Sequence, residues 1–338
     1  MNRGADASAA KLATSPHPWV AAGDSAVRFG IAYGPRTVWP EVRAFVQLVE
    51  ALDFDSYWTM DHPVSGFDAW SSLTALAAVT TRIRLGPLVS CVFYRSPAML
   101  ARLAADVDRV SGGRLVLGLG GGNHEREFAK LGLPFPSTTE RLAAVAETAR
   151  ILRGLWSEEP FTFESEHFRV NAANVRPGPM QEPSVPILIA GGGEKVTLRQ
   201  VAEFADASNF SPHAMAGSAY GASDVRRKLA ALDGHCAVLG RPAASVLRTQ
   251  VAVPVVLAET PAALEAKVAA IPEVVRRGYA SSTVACLPED AVAYYQELAE
   301  AGLNYFIAGV YGNDTETVRL LAERVVPVLG GRGADAAA

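Results

Sequence analysis

RIRLGPLVSCVFYRSPAMLARLAADVDRVSGGRLVLGL, residues 82–119, sets two apolar runs of strand length on either side of one segment with helical period. RIRLGPLV (82–89) and RLVLGL (114–119) have the length and branched apolar content of buried strands. The helix between them falls near 98–110 and is opened by Ser96-Pro97, a polar residue followed by the residue best suited to a first helical turn. The alternation continues in both directions. Further strands are predicted at 27–33 (VRFGIAY), 55–60, 186–190 (PILIA), 207–210, 249–257 (TQVAVPVVL) and 305–310 (YFIAGV). Helices are predicted at 39–52, 70–79, 139–155, 194–204, 223–239, 262–271, 288–301 and 315–326, with Thr138 and Thr139 as the polar start of the long one. Eight strand–helix pairs predict a parallel sheet closed on itself, an α/β fold of the (β/α)8 TIM barrel type.

The pattern breaks at 157–184, where FTFESEHFRV alternates like a hairpin and a proline-rich loop follows; this reads as an insertion. Residues 1–26, rich in Ala, Ser, Gly and Pro, and 329–338 read as flexible extensions, which leaves a single barrel domain over 27–328. Of the 338 residues, 49% are hydrophobic and 20% charged, as in ordinary globular chains, and a core of this size needs neither disulfides nor metals. A net charge of −4 argues against nucleic acid or an anionic membrane as partner. No apolar run approaches a membrane span, and the first 26 residues lack the charges and apolar run of a signal peptide. Cys91, Cys236 and Cys286 are scattered, with no CxxC pair, which fits reduced thiols in a cytoplasm.

In such a barrel the chemistry sits on loops that follow the strands. After the second strand come Asp61 and His62: an imidazole there faces the mouth and exchanges a proton near neutral pH, with Asp61 as a candidate to orient it. After the fourth come Gly120, Gly121, Gly122 and Asn123. The spacing fails the dinucleotide fingerprint, since Asn123 stands where the third glycine belongs. The loop reads either as a simple barrel turn or as a surface for a flat ring. After the fifth come Gly191, Gly192 and Gly193 with Lys195, leading into a helix. This is an anion site suited to phosphate, or else a bare tight turn. Tyr94, Arg95 and His124 are weaker candidates for the mouth. No HExxH or GxSxG occurs, and no strand ends in His-x-His, so metal: none, and hydrolase readings lack support.

Taken together, SYWTMDHP (56–63), RIRLGPLVSCVFYRSPAMLA (82–101), SGGRLVLGLGGGNHEREF (111–128) and PILIAGGGEKVTLRQVAEFADASNF (186–210) resemble the luciferase-like monooxygenase superfamily. They are most similar to its actinobacterial deazaflavin-dependent branch, which uses coenzyme F420. The resemblance covers roughly residues 27–326 and implies several roles. His62 and Asp61 would lie beside the reactive ring carbon. Leu88 and Val89 would form a bulge with a cis non-proline peptide behind the ring. Gly120 to Asn123 would touch the ring, and some relatives carry an acid where Asn123 stands. Gly191 to Gly193 would cradle the cofactor phosphate, and the 157–184 insertion would help cover the site. The implied activity is hydride transfer between F420 and a small organic substrate (alcohol or carbonyl, imine, or activated C=C), with His62 as proton donor or acceptor. An FMN-dependent monooxygenase and a non-catalytic flavin-binding partner subunit are the alternatives. Related barrels pair, so a homodimer is expected. The loops near 210–221 and 278–286, which set substrate choice, carry no readable motif.

Overall fold

A computed structural model of the chain describes residues 16–22, 27–213 and 218–330. Its strands are β1 (Arg28–Gly34), β2 (Ser56–Thr59), β3 (Arg84–Pro87), β4 (Ser90–Cys91), β5 (Leu117–Gly120), β6 (Phe161–Glu164), β7 (Arg169–Ala173), β8 (Ile187–Ala190), β9 (Ala207–Phe210), β10 (Leu247–Ala252), β11 (Val255–Leu257), β12 (Val284–Cys286) and β13 (Tyr305–Tyr311). Nine of them form one parallel sheet in the order β3-β2-β1-β13-β10-β9-β8-β5-β4. A parallel bridge from Leu85 to Leu115 joins its two ends. β3 and β4 are two halves of one barrel stave, interrupted at a cis peptide between Leu88 and Val89. The ring is therefore an eight-stave barrel, as the alternation predicts.

The period of two along each strand sorts side chains to the two faces. On β13, Tyr305 and Ile307 join the cluster inside the barrel with Trp58, Val116, Leu188 and Leu247. Phe306, Ala308 and Val310 face outward into the larger core beneath the helices. No described helix is long and apolar enough to cross a membrane.

Several predicted boundaries change. Residues 1–26 were expected to be an extension, but Pro18–Ala21 forms a short helix whose Trp19 and Val20 are buried in the inner cluster. Trp19 donates from its indole to Asp55 (3.2 Å), and its carbonyl accepts from Arg28 (2.8 Å), so it closes the barrel at the amino ends of the strands. Two apolar residues among Ala, Ser and Pro are too few to show a period. The rest of that expected extension, 1–15 and 23–26, and most of the expected tail, 331–338, lie outside the described residues.

The seventh predicted strand, 249–257, splits at the cis Val253-Pro254 bond. Proline cannot donate to a ladder, and β11 leaves the barrel to pair with β12 in a separate two-stranded sheet. Over 157–184, β6 and β7 form the expected antiparallel hairpin. Ser137, one residue before the predicted start, caps the helix Thr138–Leu155 in a reciprocal arrangement with Glu140. The helix predicted from 194 begins at Thr197. Two short helices, Glu125–Lys130 and Glu273–Gly278, were not anticipated.

Candidate active site

The loops at the carboxyl ends of the strands enclose two adjoining cavities. The first, of about 420 Å³, is bounded by Leu88 and Val89, the Gly120–Asn123 loop, Gly191, Asn209 and Ser211. The second, of about 620 Å³, opens between the loops after β1, β2 and β13. Tyr33, Met60, His62, His124, Val253 and Tyr279 line both, so His62 stands at their junction.

The partner of His62 is Glu127. The two side chains lie Nδ1 to Oε2 at 2.7 Å, with the imidazole 29% exposed and the carboxylate 7%. Tyr94 donates to the same oxygen at 3.0 Å. Burial alone pushes the Glu127 carboxyl up, but the hydrogen bond and charge of His62 and the Tyr94 hydroxyl outweigh it, holding the acid below the usual glutamate range. A carboxylate at Nδ1 holds a proton on that nitrogen, so Nε2 is the ring position left to take up or give back a proton. His124 stands edge-on to His62, with centroids 4.9 Å apart, and burial followed by the nearby His62 lowers its own pKa.

Asp61 does not serve His62 as a hydrogen-bond partner. Its side chain is fully buried and accepts two bonds from Arg95 (2.7 and 3.0 Å), one from Ser90 Oγ (3.0 Å) and one from the Cys91 amide (3.1 Å). Arg95 also reaches Asp68, the N-cap of the helix Ala69–Val79. The physical reason lies in the partners: Arg95, Ser90 and the Cys91 amide take up the Asp61 carboxylate, while the carboxylate within hydrogen-bond reach of His62 is that of Glu127. Asp61 thus ties down β4 just beyond the Leu88–Val89 interruption, and the carboxylate in contact with His62 is that of Glu127.

The glycine loop after β5 is shaped by its neighbour strand. A Cβ on Gly120 would lie 2.5 Å from Val89 Cγ2, and one on Gly118 2.3 Å from the Pro87 carbonyl oxygen. These glycines let the interrupted stave pack flat against β5, while the backbone of Gly120, Gly121 and Gly122 and the Asn123 residue border the first cavity. Gly122 (φ 74°) turns the chain out, and its carbonyl accepts from Arg141.

After β8 the three glycines separate. Gly191, at φ 128°, borders the first cavity, and its amide donates to Asn209. Gly192 is buried, with its carbonyl accepting from the buried Lys228 ammonium at 2.7 Å, and Gly193 is exposed. Lys195 is exposed.

Of the residues singled out from sequence, the structure gathers Asp61, His62, Leu88, Val89, Gly120, Gly121, Gly122, Asn123 and Gly191 around one cavity; Gly192 and Gly193 do not line it. Glu127 was missed. A carboxylate shortly after the glycine loop was its available signal.

The profile of the family described as luciferase-like monooxygenase matches residues 15–321. The chain is 33% identical over 182 residues to a 5,10-methylenetetrahydromethanopterin reductase of Archaeoglobus fulgidus, covering 53% of this chain and 52% of that one. It is 38% identical over 165 residues to an F420-dependent glucose-6-phosphate dehydrogenase of Kineococcus radiotolerans, covering 45% and 47%. The chain spans about half the length of these curated relatives. Among solved structures, the coenzyme F420-dependent tetrahydromethanopterin reductase of Methanopyrus kandleri shares the fold, with a TM-score of 0.74 at 20% identity over 90% of this chain and 99% of that one.

Proposed function

The chain belongs to the luciferase-like monooxygenase family, and from that premise we propose that it is an oxidoreductase that binds coenzyme F420 in the first cavity. It transfers a hydride between that cofactor and a small organic substrate in the second. The observation that carries this reading is the His62–Glu127 pair at the junction of the two cavities. The first cavity fits a flat heteroaromatic ring. Its volume lies within the usual range of about 300–1,000 Å³ for small-molecule sites. Leu88 and Val89 offer one apolar wall, while Asn123, Asn209 and Ser211 supply polar groups for ring edges. Gly191 and the backbone beside it would take the cofactor phosphate. Two relatives carry F420 in their names, which supports the choice of cofactor.

When bound, a deazaflavin ring supplies a carbon centre that takes or gives a hydride. The chain's own residues handle the proton. In the oxidative direction, His62 Nε2 accepts the hydroxyl proton of an alcohol as its carbon loses hydride and the C=O bond forms. Glu127 stabilises the resulting imidazolium across the 2.7 Å contact. In the reductive direction, the same nitrogen returns a proton to a carbonyl oxygen, an imine nitrogen or the carbon of an activated double bond.

Titration of the full chain with F420 and with FMN, followed by fluorescence, tests the cofactor assignment. Saturable F420 binding is expected. Tight FMN binding without response to F420 favours the monooxygenase alternative and overturns the assignment. A His62→Ala variant is expected to bind F420 as the parent does while losing most turnover against a panel of alcohols and imines.

A further inference from the structure

The second cavity carries charge that the proposed proton transfer does not use. Arg36, Arg126 and Lys130 line it, against the carboxylates of Glu41 and Glu127. Glu127 is engaged by His62 and Tyr94. The mouth therefore holds a surplus of positive charge on a chain whose net charge is −4.

Arg36 is the central group. It lies just past β1, half-buried, and its guanidinium donates to the Met60 sulfur at 3.2 Å. It has no ion pair to a carboxylate among the described residues; the half-buried Arg95, Arg153 and Arg28 each have one, and the half-buried Arg84, Arg114, Arg141 and Arg241, which lack one, donate to oxygen acceptors instead of to a sulfur. The backbone around it is fixed: its carbonyl accepts from the Phe67 amide (3.0 Å), and Gly66, at φ 89°, packs so closely that a Cβ there would lie 2.9 Å from the same oxygen. A guanidinium is a planar fork of donors matched to a carboxylate or phosphate, and withdrawing it from water without such a partner is unfavourable. Arg126 and Lys130, four residues apart on the helix Glu125–Lys130, border the same space. Val64, Val275, Val310 and Tyr279 give the rest of the cavity an apolar and aromatic side, beside the polar Thr37, Ser65 and Asn313.

Resting on the oxidoreductase reading of this cavity, we infer that the substrate is an organic anion: an apolar body ending in a carboxylate or phosphate that docks on Arg36, with Arg126 and Lys130 attracting it to the mouth. The reacting carbon then lies at the His62 end, away from the charged end.

The test uses two matched probes, 4-phenylbutanoate and its neutral amide, titrated by calorimetry into the full chain with and without F420. The acid is expected to bind about tenfold more tightly than the amide at low salt, the effect of one charge-assisted contact. That preference should shrink as potassium chloride is added. Arg36→Gln should remove the preference while leaving amide and F420 binding unchanged, and Arg36→Lys, which keeps charge but loses the fork, should retain part of it. Equal binding of acid and amide to the parent chain, or a preference that survives Arg36→Gln, overturns the inference. The cations have a second possible client, the acidic tail of the cofactor. If Arg126→Gln/Lys130→Gln weakens F420 but not the tail-less deazaflavin riboside, they serve the cofactor, and the inference also falls. An acid preference in the cofactor-free chain, together with failure to bind F420, would leave the anion site standing and remove the cofactor assignment.

Discussion

Replacing Arg95 by methionine isolates the group that holds the active-site loop together. The Asp61 carboxylate it neutralises is fully buried, and Arg95 itself is 16% exposed. The substitution keeps the length of the aliphatic stem but leaves Asp61 with the Ser90 hydroxyl and the Cys91 amide alone. It also releases Asp68, the cap of the next helix. Breaking a buried pair by removing one partner costs about 3–5 kcal/mol. At roughly 2 °C per kcal/mol for a chain of this length, Tm falls by roughly 6–10 °C. Neutralising the orphaned acid in Asp61→Asn/Arg95→Met should restore about 1–2 kcal/mol, because the uncompensated charge is gone. Urea and thermal unfolding of the parent, both single variants and the double variant measure the cycle. A loss below about 0.5 kcal/mol in Arg95→Met, the level of an ordinary surface substitution, refutes the assignment of Asp61 as the anchor of β4. So does a double variant less stable than Arg95→Met alone.

Further predictions follow from the same contacts. Glu127→Gln removes the charge behind His62, worth about 1.5–3 kcal/mol for a hydrogen bond to an ionised group, so kcat/KM should fall by roughly 10- to 150-fold with F420 affinity intact; steady-state kinetics beside the fluorescence titration checks this. The Glu127 carboxyl is held below its usual range, so the folded chain binds fewer protons there than the unfolded chain; its stabilisation is complete above the unfolded glutamate value of about 4.3 and is lost as pH falls through the lower folded value. Unfolding curves across that acid range should show the slope in the parent and lose it in Glu127→Gln. Gly120→Ala drives a methyl to 2.5 Å from Val89; it should cost about 1–3 kcal/mol and weaken F420 binding more than it weakens binding of an acid probe in the second cavity. Trp19→Ala empties the floor of the barrel and should cost about 3–5 kcal/mol in urea unfolding, without altering F420 affinity.

The barrel and the frame of its site were legible because a closed parallel sheet puts every strand's carboxyl end on one face. A residue just past a strand, such as His62 or Gly191, is thereby placed before any contact is known. The Leu88–Val89 interruption followed from resemblance, and the structure has the cis peptide there. Asp61 was expected to orient His62 because the two are adjacent in sequence, but adjacency does not say which carboxylate reaches the ring, and that of Asp61 is taken up by Arg95, Ser90 and the Cys91 amide. Glu127 was hidden because its helix, Glu125–Lys130, is too short to show a period and its local sequence, EREFAK, reads as solvated charge. Val253-Pro254 looked like the middle of one apolar strand, because composition does not reveal where a ladder must stop. Arg36 gave no motif at all, since a guanidinium with no carboxylate partner among the described residues is recognised only once its surroundings are seen.

A crystal structure of the full chain with F420 bears most directly on the central claim. The account predicts the deazaflavin ring against Leu88 and Val89, its phosphate at Gly191, and its reactive carbon facing His62 with the Glu127 contact intact. A ring bound elsewhere, or one whose reactive carbon is turned away from His62, would contradict it.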